Sequence, residues 1–195
     1  DLDAAEQARK YEEGGAVAIS VLTDRDYFRG SIDDLKQARQ ASGLPVLRKD
    51  FLIDPYQFYE SLVIGADAVL LIVRLLSPEQ LASYLQLCRE LALDPLVEIH
   101  DEADLDVATK AGAQLIGINN RDLSTFNTDL SVATRLVSQF SPDQIPIAAS
   151  GISGRDDIVR TRQAGIRNFL IGESLARADD TVGFLKQLIS GETVK

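Results

Sequence analysis

Three charged residues, Arg48, Lys49 and Asp50, follow directly on the apolar residues 45–47. A buried parallel strand normally continues as an apolar run or ends in turn residues, because an unpaired buried charge is costly. A lysine at the end of such a strand is therefore a candidate site residue, able to supply a proton or to stabilise developing negative charge. Side chains alternate along a strand, so Lys49 shares the face of Leu47, whereas Arg48 and Asp50 face the neighbouring helices.

Other polar residues lie at the ends of later predicted strands. Glu98 lies near the end of one strand, and Asn119 and Arg121 share one parity at the end of the next. Ala148 and Ser150 share a parity one strand further on. An acid, a lysine, an amide and a guanidinium that converge at one end of a sheet can perform general acid–base catalysis and stabilise transition-state charge. The alternative is a set of strand-end polar groups that only pair with one another.

Two glycine loops follow the last two predicted strands, Ser150-Gly151-Ile152 and Gly172-Glu173. Glycine lets backbone N–H groups approach a ligand closely, and the loops after the last two strands of barrels often bind phosphate. Either loop taken separately also fits an ordinary turn. The presence of both loops at these two strands predicts a phosphate site.

Strands and helices alternate along the whole chain. Seven strand-like segments start near residues 16, 45, 67, 95, 115, 146 and 168, with a helical segment between each pair. This alternation predicts a parallel sheet with right-handed crossovers. No linker or low-complexity stretch divides the sequence, so residues 1–195 are predicted to form a single domain.

A doubly wound sheet and a (β/α)8 barrel both fit this alternation. A doubly wound nucleotide binder normally has a Gly-x-Gly-x-x-Gly turn after its first strand, and the sequence has none. Polar residues at nearly every strand end are typical of a barrel, whose active site lies at that face. The prediction is therefore an α/β fold, a (β/α)8 TIM barrel with about seven βα units in this chain. Residues 2–13 have the pattern of a helix with no strand before them, so the first barrel strand is expected to be missing.

The charge and composition of the chain limit its partners. A net charge of −10 argues against a nucleic-acid binder, which needs a basic face. No apolar run approaches the roughly 20 residues that cross a bilayer, so no membrane partner is expected and a cytoplasmic location is predicted. The single cysteine excludes an internal disulfide and a zinc cluster, and a single histidine leaves no redundancy for a metal site.

The sequence resembles the indole-3-glycerol-phosphate synthase family, (β/α)8 enzymes of tryptophan biosynthesis. The matching segments span nearly the whole chain and comprise residues 19–23, 47–51, 56–57, 65–72, 96–100, 117–123, 150–152 and 172–175. The run Lys-Asp-Phe together with Ile-Asn-Asn-Arg-Asp-Leu makes this resemblance highly specific. It implies a lyase that closes the pyrrole ring of 1-(o-carboxyphenylamino)-1-deoxyribulose 5-phosphate and releases carbon dioxide and water, without a cofactor.

The resemblance also implies a role for each candidate residue. In a catalytic set of Lys49, Glu98 and Asn119, the lysine would be the general acid that polarises or protonates the substrate carbonyl. Glu98 would handle protons in the dehydration half, with Asn119 and Arg121 positioning it and the hydroxyls of the substrate. The remaining implied contacts are to the phosphate, from Ser150, Gly151, Gly172 and the backbone of Glu173, and to the anthranilate ring, from Phe28 and Phe51.

The sequence departs from the family pattern in two places. The first strand of the family ends in a Ser-Pro-Ser-Lys loop whose lysine contacts the substrate, and this chain has no such segment. The family also has glutamate before the Ser-Gly-Ile run, where this sequence has Ala149. Loss of a site lysine and a carboxylate together predicts a rate that is lower by orders of magnitude.

Two other functions stay open from the residues themselves. One is another phosphate-binding barrel enzyme, such as a phosphoribosyl-sugar isomerase, which predicts a paired acid and base at the first and fifth strands. That hypothesis leaves the run from Lys49 to Phe51 unexplained. The other is a catalytically silent barrel fragment that self-associates, because a seven-strand array has two unpaired edges that can pair with another chain.

Overall fold

The computed structural model describes residues 3–121 and 131–190 of the chain. The strands are Ile19–Leu22 (β1), Val46–Lys49 (β2), Ala68–Ile72 (β3), Asp94–Ile99 (β4), Leu115–Asn119 (β5), Ile145–Ala149 (β6) and Asn168–Leu170 (β7). The helices are Ala4–Gly14 (α1), Ile32–Ala41 (α2), Tyr56–Ile64 (α3), Pro78–Leu91 (α4), Glu102–Lys110 (α5), Ser131–Leu136 (α6), Arg155–Gln163 (α7), Glu173–Ala176 (α8) and Thr181–Ile189 (α9). Short 3-10 turns cover Val73–Leu75 and Val137–Gln139. Within these described ranges no helix is long and apolar enough to cross a membrane.

All seven strands form one parallel sheet in the order β1-β2-β3-β4-β5-β6-β7. Each strand therefore pairs with the strand that follows it in the sequence, and the strand order never reverses. A doubly wound sheet requires such a reversal, so the barrel prediction is confirmed over the doubly wound alternative. The first strand begins at Ile19, later than the predicted start near residue 16.

The sheet is curved, as a barrel requires. Seven strands about 4.8 Å apart would separate the two ends of a flat sheet by about 29 Å. Helices α1 and α9 lie before β1 and after β7, yet they pack directly against each other. A Cβ atom added at Gly14 would lie 2.9 Å from Cβ of Leu185, so glycine is what allows this close approach.

Apolar side chains alternate between the two faces of the sheet. The concave interior cluster includes Leu47, Leu70 and Leu96, whereas the cluster beneath the helices includes their neighbours Val69 and Val97. Leu47 shares its parity with Lys49, so the predicted inward direction of the lysine is confirmed.

Local sequence signals define the helix ends. Ser77 begins α4 with a capping box, in which its hydroxyl accepts from the backbone N–H of Gln80 and the Gln80 side chain accepts from the backbone N–H of Ser77. Gly65 ends α3 in the left-handed region, with φ of 90°, and its N–H bonds back to the last turn. The cap at Gly65 ends α3 shortly before β3 begins at Ala68.

Candidate active site

Lys49 and Glu98 come together at the carboxyl end of the sheet. Lys49 is the last residue of β2, and Glu98 is the fifth residue of β4. The Lys49 Nζ atom lies 3.9 Å from Glu98 Oε2, and the two side chains are 23% and 9% exposed. A proton donor and a proton acceptor thus lie side by side, mostly shielded from water but accessible from the mouth of the barrel.

Asn119 fixes the second oxygen of the Glu98 carboxylate. Its Nδ2 donates to Glu98 Oε1 at 3.1 Å. The Oδ1 atom of the same amide accepts from the Ser150 hydroxyl at 2.7 Å and from the Arg121 backbone N–H at 3.1 Å. Because both ends of the amide have partners, Asn119 holds one orientation and can restrain Glu98 in turn.

Ser150 reaches this cluster for a different reason than the sequence predicted. The parity shared by Ala148 and Ser150 would place both on one face, but Ala148 packs in the cluster beneath the helices. Ala149 is the residue in register with Asn119, so it is the one on the inward face. Ser150 has a φ of 66°, and this left-handed conformation turns its hydroxyl back toward the interior. The parity argument was therefore wrong for Ala148, although Ser150 does reach the cluster.

Aromatic side chains cover the Lys49 ammonium group. The rings of Phe28 and Phe51 stack with centroids 4.9 Å apart and an angle of 14° between their planes. Lys49 Nζ lies 5.1 Å from the centroid of the Phe28 ring, within the range of a cation–π contact. Tyr27 packs edge-on against Phe51 at 5.5 Å and is 81% exposed. The sequence analysis missed Tyr27, because a tyrosine in a polar loop gives no signal of its own.

The loop that carries Phe28 is folded tightly over the end of β1. Gly30 donates its backbone N–H to the carbonyl of Asp24 at 2.8 Å. A Cβ atom at Gly30 would lie 2.0 Å from the carbonyl oxygen of Leu22, so no other residue fits this position without a backbone shift. The close approach of Gly30 to β1 therefore fixes the position of the aromatic loop.

The two glycine loops lie at the ends of β6 and β7. Gly151 has a φ of 81°, so the consecutive residues Ser150 and Gly151 are both left-handed. Gly172 has an ordinary φ of −122°, and a Cβ atom there would meet nothing within 4 Å. Nothing in the described chain explains why position 172 is glycine, and the free space in front of it is available to a ligand.

Arg121 and Glu173 form an ion pair across the mouth of the barrel. A guanidinium nitrogen of Arg121 donates to a carboxylate oxygen of Glu173, and Arg177 contacts the other oxygen. The hydrogen bond from Arg121 and the charge of Arg177 hold the pKa of Glu173 below its usual range. The two carboxylate oxygens of Glu173 are thus paired with Arg121 and Arg177. The backbone N–H of Glu173 lies next to Gly172 in the chain.

A buried ion network supports the end of β2 from the helix side. Arg48, with a side chain 4% exposed, donates to Asp50 Oδ2 at 2.9 Å and pairs with Glu60 of α3 at 2.8 Å. Asp50 Oδ1 in turn accepts the backbone N–H of Phe51 at 2.8 Å. The predicted outward direction of Arg48 and Asp50 is confirmed, and the network shows how they fix the aromatic residue that follows.

His100 is a further group near the cluster that the sequence analysis did not assign. Its Nε2 atom lies 3.7 Å from Glu98 Oε1, and the ring is buried. The sequence does contain a signal that could have identified it. His100 lies two residues after Glu98 at a strand end, so both side chains have the same parity. Within residues 3–121 and 131–190, no group of three or more His, Cys, Asp or Glu side chains is arranged to hold a metal ion.

The predicted site residues therefore form one group at the end of the sheet. Lys49, Glu98, Asn119 and Ser150 are linked to one another by contacts, and the Phe28 ring lies beside the lysine with Phe51 stacked on it. Gly151, Gly172, Arg121 and Glu173 lie around the same mouth, on the loops after β5, β6 and β7.

Solved structures resemble the chain in fold. A thiamine phosphate pyrophosphorylase from Pyrococcus furiosus superimposes with a TM-score of 0.74, covering 95% of this chain and 87% of that one. The two sequences are 18% identical, so this likeness shows the barrel architecture and nothing about activity.

Comparison with characterised sequences gives closer matches. The family pattern described as indole-3-glycerol phosphate synthase matches residues 1–188. The indole-3-glycerol phosphate synthase of Desulfosudis oleivorans is 68% identical over 190 residues, which is 97% of this chain and 72% of that protein. The enzyme of the same name from Syntrophobacter fumaroxidans is 54% identical over 96% of this chain and 71% of its own length. The sequence match and the geometry at the end of the sheet agree, and the chain belongs to the indole-3-glycerol phosphate synthase family.

Proposed function

We propose that this chain performs the family reaction with Lys49 as its general acid and Glu98 as its proton-transferring carboxylate. The reaction converts 1-(o-carboxyphenylamino)-1-deoxyribulose 5-phosphate to indole-3-glycerol phosphate, with loss of carbon dioxide and water. Membership of the family favours this activity over a sugar isomerase. The single observation that carries the residue assignment is the 3.9 Å approach of Lys49 Nζ to Glu98 Oε2 at the carboxyl end of the sheet.

Ring closure is the step assigned to Lys49. The aromatic carbon that bears the carboxylate forms a bond to the keto carbon of the sugar chain, and the keto oxygen takes up a proton. An ammonium group beside that oxygen supplies the proton and stabilises the negative charge that develops before transfer. Loss of carbon dioxide then breaks the bond to the carboxylate and returns its electron pair to the ring.

Dehydration is the step assigned to Glu98. The new hydroxyl takes up one proton and leaves as water, and a base removes one proton from the neighbouring carbon as the pyrrole double bond forms. A carboxylate next to the acid can reach the same part of the substrate, and Asn119 holds it through a 3.1 Å hydrogen bond. Orientation of this kind matters because small displacements of a catalytic group cost large factors in rate.

The rest of the substrate has a proposed contact for each of its chemical parts. The stacked rings of Phe28 and Phe51 offer an apolar surface for the anthranilate ring beside Lys49. The free space in front of Gly172 and the two left-handed residues Ser150 and Gly151 support a phosphate contact through backbone N–H groups. Arg121 is proposed to contact the hydroxyls of the substrate, and the backbone of Glu173 is proposed to contact its phosphate.

The experiment that tests the proposal is substitution of the lysine. We expect Lys49→Ala to abolish the indole fluorescence that appears when the purified protein is given the substrate. The matched control is Lys110→Ala, which removes a lysine with a 74% exposed side chain from the far end of α5 and should leave turnover unchanged. Turnover of Lys49→Ala at the parent rate, in a variant with the parent circular dichroism spectrum, would refute the assignment.

We also propose that residues 1–195 act as a single domain in the cytoplasm and self-associate through the ends of the sheet. One sheet of consecutive strands supports the single domain, and the net charge of −10 supports an aqueous location. Within the described residues β1 and β7 each have one neighbour in the sheet. Strand edges with free N–H and C=O groups favour pairing with a second copy of the chain.

A further inference from the structure

The chain has one histidine, and it is buried between two carboxylates. His100 Nε2 lies 3.7 Å from Glu98 Oε1, and Nδ1 lies 3.5 Å from Asp104 Oδ2. The His100 side chain is 5% exposed. Neither ring nitrogen has a hydrogen-bond partner among the described residues. A buried ring with two unpartnered nitrogens is unusual, because buried polar atoms are normally bonded.

Asp104 is held in place from the other side. Its Oδ2 atom accepts the backbone N–H of His100 at 2.8 Å and the Arg74 Nε–H at 2.9 Å. Arg74 also donates to Asp101 at 2.6 Å. The backbone N–H of Asp104, ahead of the nearby Arg74 charge, holds the pKa of Asp101 below its usual range. Asp104 therefore has a fixed position beside the imidazole ring of His100.

The charged groups around His100 form one chain from the surface to the proposed active site. Arg74 follows β3, Asp101 and Asp104 lie at the start of α5, Glu98 lies on β4, and Lys49 lies beyond it on β2. From β5, Asn119 contributes a neutral amide that donates to Glu98 Oε1 at 3.1 Å.

We propose that His100 is a positioning residue that bridges Glu98 and Asp104 in its protonated form and keeps Glu98 ionised and oriented. This proposal depends on the proposed role of Glu98. A neutral imidazole has one N–H group and can donate to one carboxylate, whereas the imidazolium donates to both. The contacts of 3.5 and 3.7 Å are long, as catalytic hydrogen bonds often are without substrate, and a small ring movement shortens them.

The bridge has a consequence for the pH dependence of turnover. A positive charge beside a carboxylate favours its ionised form. Glu98 must be ionised to accept a proton. Removal of the imidazolium takes away this stabilisation of the carboxylate, so the acidic limb of the kcat profile should move to higher pH.

The kinetic test measures the pH dependence of kcat for His100→Asn and for two further variants, Asp104→Asn and Asp157→Asn. We expect His100→Asn to lower kcat about tenfold on the acidic side of the kcat profile with little change in KM, because a displaced catalytic group costs large factors in rate. Asp104→Asn should move the limb in the same direction. The matched control is Asp157→Asn. In the first turn of α7, Asp157 accepts the backbone N–H of Ser153 at 2.8 Å. Asp104 accepts the backbone N–H of His100 in the same way at the start of α5.

Asp157→Asn removes an equivalent carboxylate from an equivalent turn, but no imidazole lies beside it among the described residues. It should alter stability without moving the acidic limb. A purely structural role for His100 would likewise lower the amount of folded enzyme and leave the limb in place. An unmoved acidic limb in folded His100→Asn overturns the proposal.

A second measurement needs no turnover. Because His100 is the sole histidine, the imidazole signals in a carbon–proton NMR spectrum can be assigned directly and followed with pH. Coupling between two sites is reciprocal, so Glu98→Gln should change the pH dependence of the imidazole signals. An unchanged titration refutes the bridge even if Lys49→Ala is inactive. A shifted titration together with an active Lys49→Ala would refute the proposed function and leave the coupling intact.

Discussion

Three residues from different parts of the chain contact the carboxylate of Glu98. Lys49 comes from β2, Asn119 from β5 and His100 from the residue after β4. They supply an ammonium group, a neutral amide donor and an imidazole. The charged neighbours affect the ionisation of the carboxylate, and the amide affects its orientation. Each neighbour can be replaced by mutation while the other two are kept. A double-mutant cycle between Lys49 and His100 on the free energy of unfolding therefore measures how far their effects are independent.

Ala149 is the position where a single side chain should restore a missing group. Its Cα is in register with Asn119 and the residue is 7% exposed, so a longer side chain would enter the proposed site. We expect Ala149→Glu to raise kcat at least about tenfold, since one well-placed acid–base group contributes roughly 10²–10⁴-fold. The measurement is the initial rate of indole fluorescence at saturating substrate.

The control for Ala149→Glu is Ala149→Gln, which has the same length and no charge. A carboxylate placed there without a partner costs stability, so the midpoint of urea unfolding should fall in the glutamate variant more than in the glutamine variant. Equal rates in the two variants would contradict a catalytic carboxylate at this position.

At the scale of the elements, the end of β2 depends on the buried guanidinium of Arg48. Besides its two carboxylate partners, Arg48 donates to the carbonyl of Gln57 at 3.1 Å and to the hydroxyl of Ser61 at 3.1 Å, both on α3. Its Nε also donates toward Thr23 at 3.2 Å, at the end of β1. One side chain thus joins β1, β2 and α3 beneath the residues that face the substrate.

Replacement of Arg48 should therefore destabilise the fold strongly. We expect Arg48→Ala to lower the free energy of unfolding by about 3–5 kcal/mol, because its removal leaves the buried carboxylate of Asp50 without compensation. Lys110→Ala, which breaks an ion pair on the surface of α5, should cost about 0.5 kcal/mol. Urea unfolding followed by circular dichroism measures both, and equal losses in the two variants would contradict the buried network.

Arg48→Lys separates charge from geometry. Lysine keeps the positive charge but cannot form the planar fork that reaches Asp50, Glu60 and Ser61 together. Its stability should lie between the parent and Arg48→Ala. Turnover should fall as well, because Asp50 would no longer hold the Phe51 backbone in one position.

At the scale of the whole molecule, two copies of the chain are expected to associate through the edge strands of the sheet. The edge strands β1 and β7 are short, with four and three residues, and the interior that they flank is apolar. We expect analytical ultracentrifugation to show a weight-average mass that rises with concentration. Ser20→Pro should reduce this association, because proline removes a backbone donor from the edge of β1. A mass of one chain at every concentration would contradict the proposal.

Much of the architecture follows from the sequence because its causes are local. Helix ends depend on a capping residue and a glycine within a few positions, as at Ser77 and Gly65, and strand direction follows from the alternation with helices. The inward direction of Lys49 and the outward direction of Arg48 follow from alternation of side chains along one strand. These predictions need no knowledge of what lies opposite.

The sequence failed where a residue left the regular strand geometry. Parity extended from Ala148 to Ser150 gave the wrong face for Ala148, because Ser150 adopts a φ of 66° and the alternation ends there. No propensity distinguishes a serine in that conformation from one in an extended strand. The turn is imposed by the contacts around it, including the hydrogen bond of Ser150 to Asn119.

The amino-acid sequence by itself determined the class of fold, the end of the sheet that carries the polar groups, and the family. Only the tertiary structure decided which of those groups touch. Glu98 and Asn119 are 21 residues apart in the chain, and Thr23 and Asp50 are 27 apart, so their contacts depend on strand register and sheet curvature. His100 shows the difference most clearly. Its residue type was visible from the start, but its position between Glu98 and Asp104 exists only once β4 and α5 are packed together.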